Sequence, residues 1–412
     1  MYVALFTCKV FMEILSTDKK NQVLDSMIRI LKERRSQIIE ANKVDLDNDN
    51  PSDRAMYDRL VVDDKKVDGM IQAVRDIRSD EDPIGLVKYE LESSDGLRIV
   101  NKTAPFGTVL IIYESRPDVT IEAAVVAFKT NNRILLKGGK EAATSNKILV
   151  GCWHDALADN DLGKEWIELL QFNREQTQEF LRSPSEKLDL IVPRGGDGLI
   201  QFVKKYATCP VLVSGRGNNF IYVHKDADWS KAVPIILNAK TDKISACNAL
   251  DKVLFDKRTD HLSQLVDEVV ETLKRAKVEV ILDRKLEVAS GLSGEGNDLS
   301  DEQWEEEYLD MKIALGLCED ESDAIEAINR YSGGHSNAII TENKEVADKF
   351  LREIDAGAVY HNASTRFTDG GQFGIGAELA ISTDKLHHRG PLGLPHLVTN
   401  KWYVYGDGQI RK

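Results

Sequence analysis

Between Ser16 and Asn42, apolar residues fall at Val23, Leu24, Met27, Ile30, Leu31 and Ile38, three and four positions apart with charged residues between them. That period predicts one amphipathic helix. The next stretch, Asp45 to Asp53, is polar, contains Pro51 and predicts a loop. A second helical pattern runs from Asp63 to Ile77. The texture then changes. Val87–Leu91 and Leu97–Val100 flank Glu92-Ser93-Ser94-Asp95-Gly96, which predicts two short strands joined by a turn ending in Asp-Gly. On its own such a hairpin fits a subunit contact or a surface decoration.

From Thr108 onward short apolar runs alternate with helical patterns. Strands are expected at Thr108–Ile112, Arg133–Lys137, Leu188–Val192 and Val211–Val213, and helices at Val119–Lys129, Glu141–Ala156 and Asp197–Tyr206. The alternation predicts a doubly wound parallel sheet. It resumes beyond residue 240. Strands are expected at Lys252–Phe255, Val278–Ile281, Lys312–Leu317, Ala338–Ile340 and Gly357–Tyr360, and helices at His261–Lys274, Glu321–Tyr331 and Lys344–Ile354. This predicts a second α/β domain, and 412 residues suffice for two or three. The acidic run from Asp301 to Glu307 predicts a solvated helix face, and Lys401–Tyr405 predicts an aromatic strand near the C-terminal end.

Charge narrows the partners. Sixty-eight acidic side chains against 54 basic ones give a net charge of −14. That balance argues against nucleic acid, which selects a basic surplus, and leaves room for a local basic pocket holding a small anion. The apolar runs at Val109–Ile112 and Ala123–Phe128 fall far below the ~18 residues that span a bilayer, so no membrane segment is expected. The start, Met1 to Cys8, is apolar but short, without a basic region or a small-residue cleavage pattern, so no targeting segment is expected. Five scattered cysteines, Cys8, Cys152, Cys209, Cys247 and Cys318, fit neither a disulfide framework nor a zinc ribbon. They suit a reducing, cytoplasmic setting.

Four segments carry candidate chemistry. Pro193-Arg194-Gly195-Gly196-Asp197 runs from a strand into a helix, where glycine admits a ligand and the helix start favours phosphate; an ordinary glycine turn reads the same way. Leu136-Lys137-Gly138-Gly139-Lys140-Glu141 repeats the arrangement. Its lysines suit a cofactor phosphate and its carboxylate a ribose, or all three are solvated charges. Cys247 sits among small and polar residues in Ser245-Ala246-Cys247-Asn248-Ala249 and is a candidate nucleophile, or a buried inert thiol. Cys8 and Cys152 read as helix-packing residues. Asn362 to Gly371 crowds hydrogen-bonding side chains around Arg366 after a predicted strand, which suits a carboxylate or phosphate, or a plain surface loop. His387-His388 lacks partners at ligand spacing, so no metal site is expected.

Taken together these segments resemble the γ-glutamyl phosphate reductases of the aldehyde dehydrogenase superfamily. The resemblance rests on Ile112–Pro117, Leu136–Ala142 with Ser145-Asn146, Val192–Gly196, Asn238–Thr241, Cys247–Ala249, Tyr331–His335, Asn362–Asp369, Phe373–Glu378, Ile381–Thr383 and Leu386–Pro391, in order over nearly the whole chain. It implies an aldehyde-dehydrogenase-like fold: two doubly wound α/β domains plus a small β oligomerisation element. Residues 1–85 and 104–240, with part of 370–390, would bind NADPH. Residues 241–369 would be catalytic, and 86–103 with 391–412 would form the oligomerisation hairpin and C-terminal strand of a homo-oligomer.

The resemblance also implies NADPH-dependent reduction of γ-glutamyl phosphate, a step of proline synthesis, with a glutamate 5-kinase as supplier. Cys247 would be the nucleophile; Lys137, Lys140, Gly195, Gly196 and Glu307 would contact cofactor; His335, Ser364, Thr365 and Arg366 would contact substrate or phosphate. The family has Cys-His where this chain has Asn219-Phe220, Gly-Asn where it has Asn131-Asn132, and Pro-Asn where it has Pro117-Asp118. Aldehyde-oxidising relatives carry a carboxylate base upstream of the cysteine. The corresponding Ser214–Phe220 holds no carboxylate, which favours acyl-phosphate reduction over two rivals. One is a phosphate-independent aldehyde dehydrogenase of the same fold; the other is a non-catalytic scaffold built on it.

Overall fold

A computed structural model describes residues 13–48, 54–213, 215–292, 298–386 and 388–411. The chain forms two compact units, one of Met1–Val213, Gly374–Ala380 and Leu392–Lys412, the other of Ser214–Phe373 and Ile381–Pro391. The sequence-based boundary at residue 240 therefore moves back to 213/214.

In the first unit, α1 (Thr17–Glu33) buries Val23, Leu24, Met27, Ile30 and Leu31, the stripe that the pattern predicts, and Ser16 caps it by accepting the Lys19 N–H. The single helix expected up to Asn42 breaks at Arg34, and α2 (Arg35–Asn48) occupies the start of the expected loop. Asp45 explains the difference. Its carboxylate is buried and accepts the N–H groups of Thr144 (3.0 Å) and Ser145 (2.7 Å), capping a helix that has no side-chain cap of its own. The short α3 (Arg54–Leu60) and α4 (Asp64–Ser79) follow. Strands β1 (Val87–Glu92) and β2 (Arg98–Pro105) make the expected hairpin.

The order then is β3 (Thr108–Tyr113), α5 (Val119–Lys129), β4 (Arg133–Lys137), α6 (Ala143–Ala158), β5 (Ile167–Leu169), α7 (Arg174–Arg182), β6 (Leu190–Arg194) and α8 (Asp197–Tyr206). The strands form a parallel sheet in the order β5-β4-β3-β6. Val211–Val213, expected as a strand, is reduced to one bridge with Ile191; Pro193, next along β6, has no N–H with which to extend the ladder to Leu212 O.

The second unit begins with β7 (Asn219–Val223), a strand absent from the sequence-based expectations despite its apolar run Phe220–Val223. It continues through α9 (Trp229–Thr241), β8 (Leu250–Asp256), α10 (Leu262–Arg275), β9 (Glu279–Leu282), α11 (Arg284–Ser290), α12 (Asp301–Glu305), β10 (Lys312–Cys318), α13 (Glu321–Tyr331), β11 (Ser336–Ile340), α14 (Lys344–Glu353) and β12 (Ala358–His361). Six strands run parallel in the order β12-β11-β7-β8-β10-β9. Pro234 inside α9 interrupts the helical signal there. The strands β13 (Ala380–Ser382) and β14 (Gly390–Leu392) pair with each other. Finally β15 (Val398–Tyr405) joins β2 antiparallel, giving a three-stranded sheet β1-β2-β15 that unites the two segments expected to oligomerise. Among the described residues, no helix is long and apolar enough to cross a membrane.

Candidate active site

In the first unit the strand order reverses between β3 and β6. Ligands of doubly wound sheets settle outside the carboxyl ends of such a pair. Glu114 follows β3, and its Oε2 accepts the Gly196 N–H at 3.1 Å. Glu141 reaches across from β4's turn, its Oε1 accepting both the N–H (2.7 Å) and the hydroxyl (3.0 Å) of Ser115. These two carboxylates fix three βα turns against one another.

Lys137, Lys140, Gly195 and Gly196 all lie at this edge, as expected. Burial lowers the Lys137 ammonium pKa, opposed by Glu141 and Glu114, and its Nζ donates to Gly138 O at 3.1 Å. A Cβ at Gly138 would strike the Asn146 amide and the Tyr113 ring, and one at Gly195 would strike Glu114 and Leu199. Buried, packed side chains surround Gly138, so that position favours glycine; at Gly195 the obstacles are movable ends of the Glu114 and Leu199 side chains. Gly196 opens α8 without a side-chain cap. The start of α8, on the same sheet edge as the two lysines, suits the phosphates of a dinucleotide. Arg194 is turned to Leu379 O at 2.6 Å.

Two departures from the family pattern gain explanations here. Asp118 is buried beside Lys66 (2.8 Å) and Arg116 (3.4 Å). Burial alone would raise its pKa, but the two cations prevail and hold the carboxyl well below the usual range, so its charge is neutralised locally. Asn131 adopts φ 58°, the left-handed conformation for which glycine is the usual choice and asparagine the next.

In the second unit Cys247 is partly exposed on the loop between α9 and β8, at the amino edge of the sheet. Its backbone is gripped from two sides. Asn219, fully buried at the start of β7, donates from Nδ2 to the carbonyls of Cys247 (2.8 Å), Ala249 (2.6 Å) and Gly217 (2.6 Å), and its Oδ1 accepts the Ser336 N–H at 3.0 Å. On the other side the Asn248 amide donates to the carbonyls of Arg366 (3.2 Å) and Thr368 (2.8 Å), while the Thr365 hydroxyl donates to Asn248 O at 2.7 Å. A Cβ at Gly217 would collide with the Cys247 carbonyl, so that position admits only glycine.

The remaining expected residues divide by what they touch. Ser364 Oγ accepts the Arg366 N–H at 3.3 Å and caps the short turn of Thr365–Phe367. His335 is fully buried; its Nδ1 meets Ser336 Oγ at 2.7 Å, which continues to Thr368 Oγ1 at 2.7 Å. Arg366 reaches Asp242, with Nε and Nη2 each 3.0 Å from Oδ2. Glu307 Oε1 accepts the Gly217 N–H at 3.0 Å. The segment Ser214–Phe220 supplies no carboxylate of its own, yet Glu307 brings one to it from far along the chain.

Sequence reasoning missed the supports of that segment. Tyr308 N–H donates to Asp251 Oδ2 (3.0 Å), Asp251 Oδ1 accepts from Lys240 Nζ (3.0 Å), and Lys252 Nζ donates to Glu306 O (2.8 Å) while lying 3.6 Å from the centre of the Tyr308 ring. Burial pushes the Lys252 ammonium down to about 7. A pattern of burial that includes three charged residues leaves no periodic signal.

His224, Asp256 and Glu321 form the one His/Cys/Asp/Glu cluster with metal-binding spacing among the described residues. Arg258 already occupies it, bonding Asp256 at 2.6 Å and Glu321 at 2.8 Å, so it reads as an ion-pair network.

The described cysteines, Cys152, Cys209, Cys247 and Cys318, form no disulfide with one another, and Cys8 lies outside the described residues. Burial pushes the thiols of Cys152 and Cys209 up to about 11, and that of Cys318 higher still. A thiol of that kind is ionised in only about one molecule in a thousand at pH 8. Iodoacetamide at pH 8, followed by peptide mass spectrometry, is therefore expected to label Cys247 well before these three; equal labelling would contradict the assignment.

The comparisons agree with one another. A profile of the aldehyde dehydrogenase family matches residues 11–307 and 313–377. The chain is 43% identical over 97% of its length to γ-glutamyl phosphate reductase of Clostridium beijerinckii, covering 95% of that protein. It is 42% identical over 96% of its length to the enzyme of the same name from Thermotoga petrophila, again covering 95%. The crystal structure of γ-glutamyl phosphate reductase from Thermotoga maritima superposes with a TM-score of 0.89 at 41% identity, covering 97% of this chain and 95% of that one.

Proposed function

This chain belongs to the aldehyde dehydrogenase family, among its γ-glutamyl phosphate reductases, and we propose that it reduces L-glutamate 5-phosphate to L-glutamate 5-semialdehyde and phosphate through a thioester on Cys247. The observation that carries the chemistry is the partly exposed Cys247 held by Asn219 on one side and joined through Asn248 to the Arg366 loop on the other.

The Cys247 thiolate attacks the γ-carbonyl carbon. The Cys247 backbone N–H receives the developing oxyanion, and phosphate departs with its bonding pair. Phosphate is a good leaving group, so this step needs no acid, and keeping water inactive protects the thioester. A nicotinamide cofactor, read here as NADPH, supplies the reducing equivalent when bound; Lys137, Lys140, Gly195, Gly196 and Glu307 would hold it. The reduced adduct then expels the Cys247 thiolate and frees the aldehyde. Arg366 faces substrate in this reading, whereas His335, Ser364 and Thr365 build the loop that carries it.

The setting is the cytoplasm, which the five scattered cysteines suit. A glutamate 5-kinase would supply the short-lived acyl phosphate. The sheet β1-β2-β15 exposes Tyr89, Trp402 and Val404, which supports assembly into a homo-oligomer through that surface.

The test runs the reaction backwards. Glutamate semialdehyde with NADP⁺ is expected to give NADPH only when inorganic phosphate is present. Equal turnover without phosphate would instead identify a hydrolytic aldehyde dehydrogenase, and no turnover in either case a scaffold.

A further inference from the structure

A groove in the second unit opens beside the nucleophile's loop. It is lined by Asn238, Asp242, Arg366, Phe367, Asp369 and Gln372. Asp242 caps the end of α9, five residues before Cys247, and Arg366 lies on the turn bonded to Asn248. A cation and an anion thus stand side by side within the stretch that presents the nucleophile. Phe367 is 49% exposed there and offers an apolar wall.

The acyl group that Cys247 would carry ends in two methylenes followed by a carbon bearing an ammonium and a carboxylate. We infer that Asp242 and Arg366 together form the site for that α-amino-acid end, Arg366 taking the α-carboxylate and Asp242 the α-ammonium, with the methylenes against Phe367. The inference rests on the reductase reading above.

Three observations argue for it. Arg366 uses only Nε and Nη2 on Asp242, and both reach the same oxygen, Oδ2. Other donor positions on the guanidinium and the second carboxylate oxygen, Oδ1, have no bond to each other's residue. The Asp242 side chain is 53% exposed and that of Arg366 16%, so the guanidinium is held in place while its carboxylate partner is open to solvent. A carboxylate so placed can turn to a ligand that carries both charges. Asp369 is tied to its own turn, its Oδ1 accepting the Gly371 N–H at 2.9 Å, which leaves Asp242 as the carboxylate suited to the ammonium.

The role is one of specificity, because it requires a charged α-amino group. At saturating phosphate and NADP⁺, wild-type turnover of glutamate semialdehyde is compared with that of its N-acetyl derivative, which keeps the carboxylate but loses the cation. The wild type is expected to favour the free amine in kcat/KM by tenfold or more. In Asp242→Asn the KM for glutamate semialdehyde should rise at least tenfold. The N-acetyl compound and the KM for phosphate should change less than threefold. A preference that survives Asp242→Asn and Asp242→Ala overturns the assignment, as does a rise confined to the phosphate KM, which would make the groove a phosphate site. If the wild type uses neither aldehyde with phosphate, the reductase reading itself fails and this inference falls with it. Unchanged thermal unfolding of the variants, expected for an exposed residue, separates these outcomes from misfolding.

Discussion

Changing Cys247 to serine is expected to lower phosphate-dependent turnover by on the order of 10⁴-fold or more, the scale seen when a nucleophile is removed from an enzyme. Sulfur is intrinsically nucleophilic, and a cysteine attacks as its thiolate. A serine hydroxyl needs a base to attack; Ser214–Phe220 contributes none, and the Glu307 carboxylate that reaches this segment is bonded to the Gly217 N–H. The loop itself should stay in place, since Asn219 grips the backbone carbonyl of residue 247 and Asn248 grips the Arg366 loop. Nucleotide binding, followed by the thermal shift that NADPH produces, should therefore survive. That combination, chemistry lost and binding kept, separates a nucleophile from a structural thiol. Wild-type turnover in the serine variant would exclude the thioester route altogether.

Much of this arrangement is legible in the amino-acid order, for a physical reason. Strands β3, β4 and β10 are nearly continuous apolar runs because both faces of a parallel sheet are covered. The turn at Gly138 stands out because the buried Asn146 and Tyr113 side chains leave little room for anything larger, and that at Gly195 because two glycines follow a buried strand. Cys247 stands out by context, small and polar neighbours before a buried strand. What stayed hidden has no period. Strand β7 carries the apolar run Phe220–Val223, but a short run alone does not show that it lies at the centre of the second sheet or that the unit boundary falls at 213/214. Asp45 looks like a loop residue until the helix start it caps, about a hundred positions away, is brought beside it. The same holds for the charges behind Glu307. Lys240, Asp251 and Lys252 are polar letters in apolar surroundings, and only their partners explain them. Long-range pairing of polar groups decides these sites.

Asn219 is the sharpest such case. In the sequence it stands only as a departure from the family pattern. In the fold its one amide faces three carbonyls and one N–H. Asn219→Ala would leave those groups buried without their partner, at about 1–3 kcal/mol for each group left unsatisfied. Two amide hydrogens are shared among three carbonyls, so the terms do not simply add. A loss of roughly 3 kcal/mol in unfolding free energy is expected, on the scale of a broken buried network. Measured well below the unfolding temperature, kcat should fall as well, because the Cys247 carbonyl is no longer pinned. Asn219→Asp sharpens the test. It preserves shape and the acceptor for Ser336, yet points a carboxylate oxygen at three carbonyl oxygens where a donor stood. If Asn219 served only to fill space, aspartate would be the milder change of the two. If it holds the nucleophile's loop by donation, aspartate should be at least as damaging as alanine in denaturant midpoint and in kcat, and that order decides between the two roles.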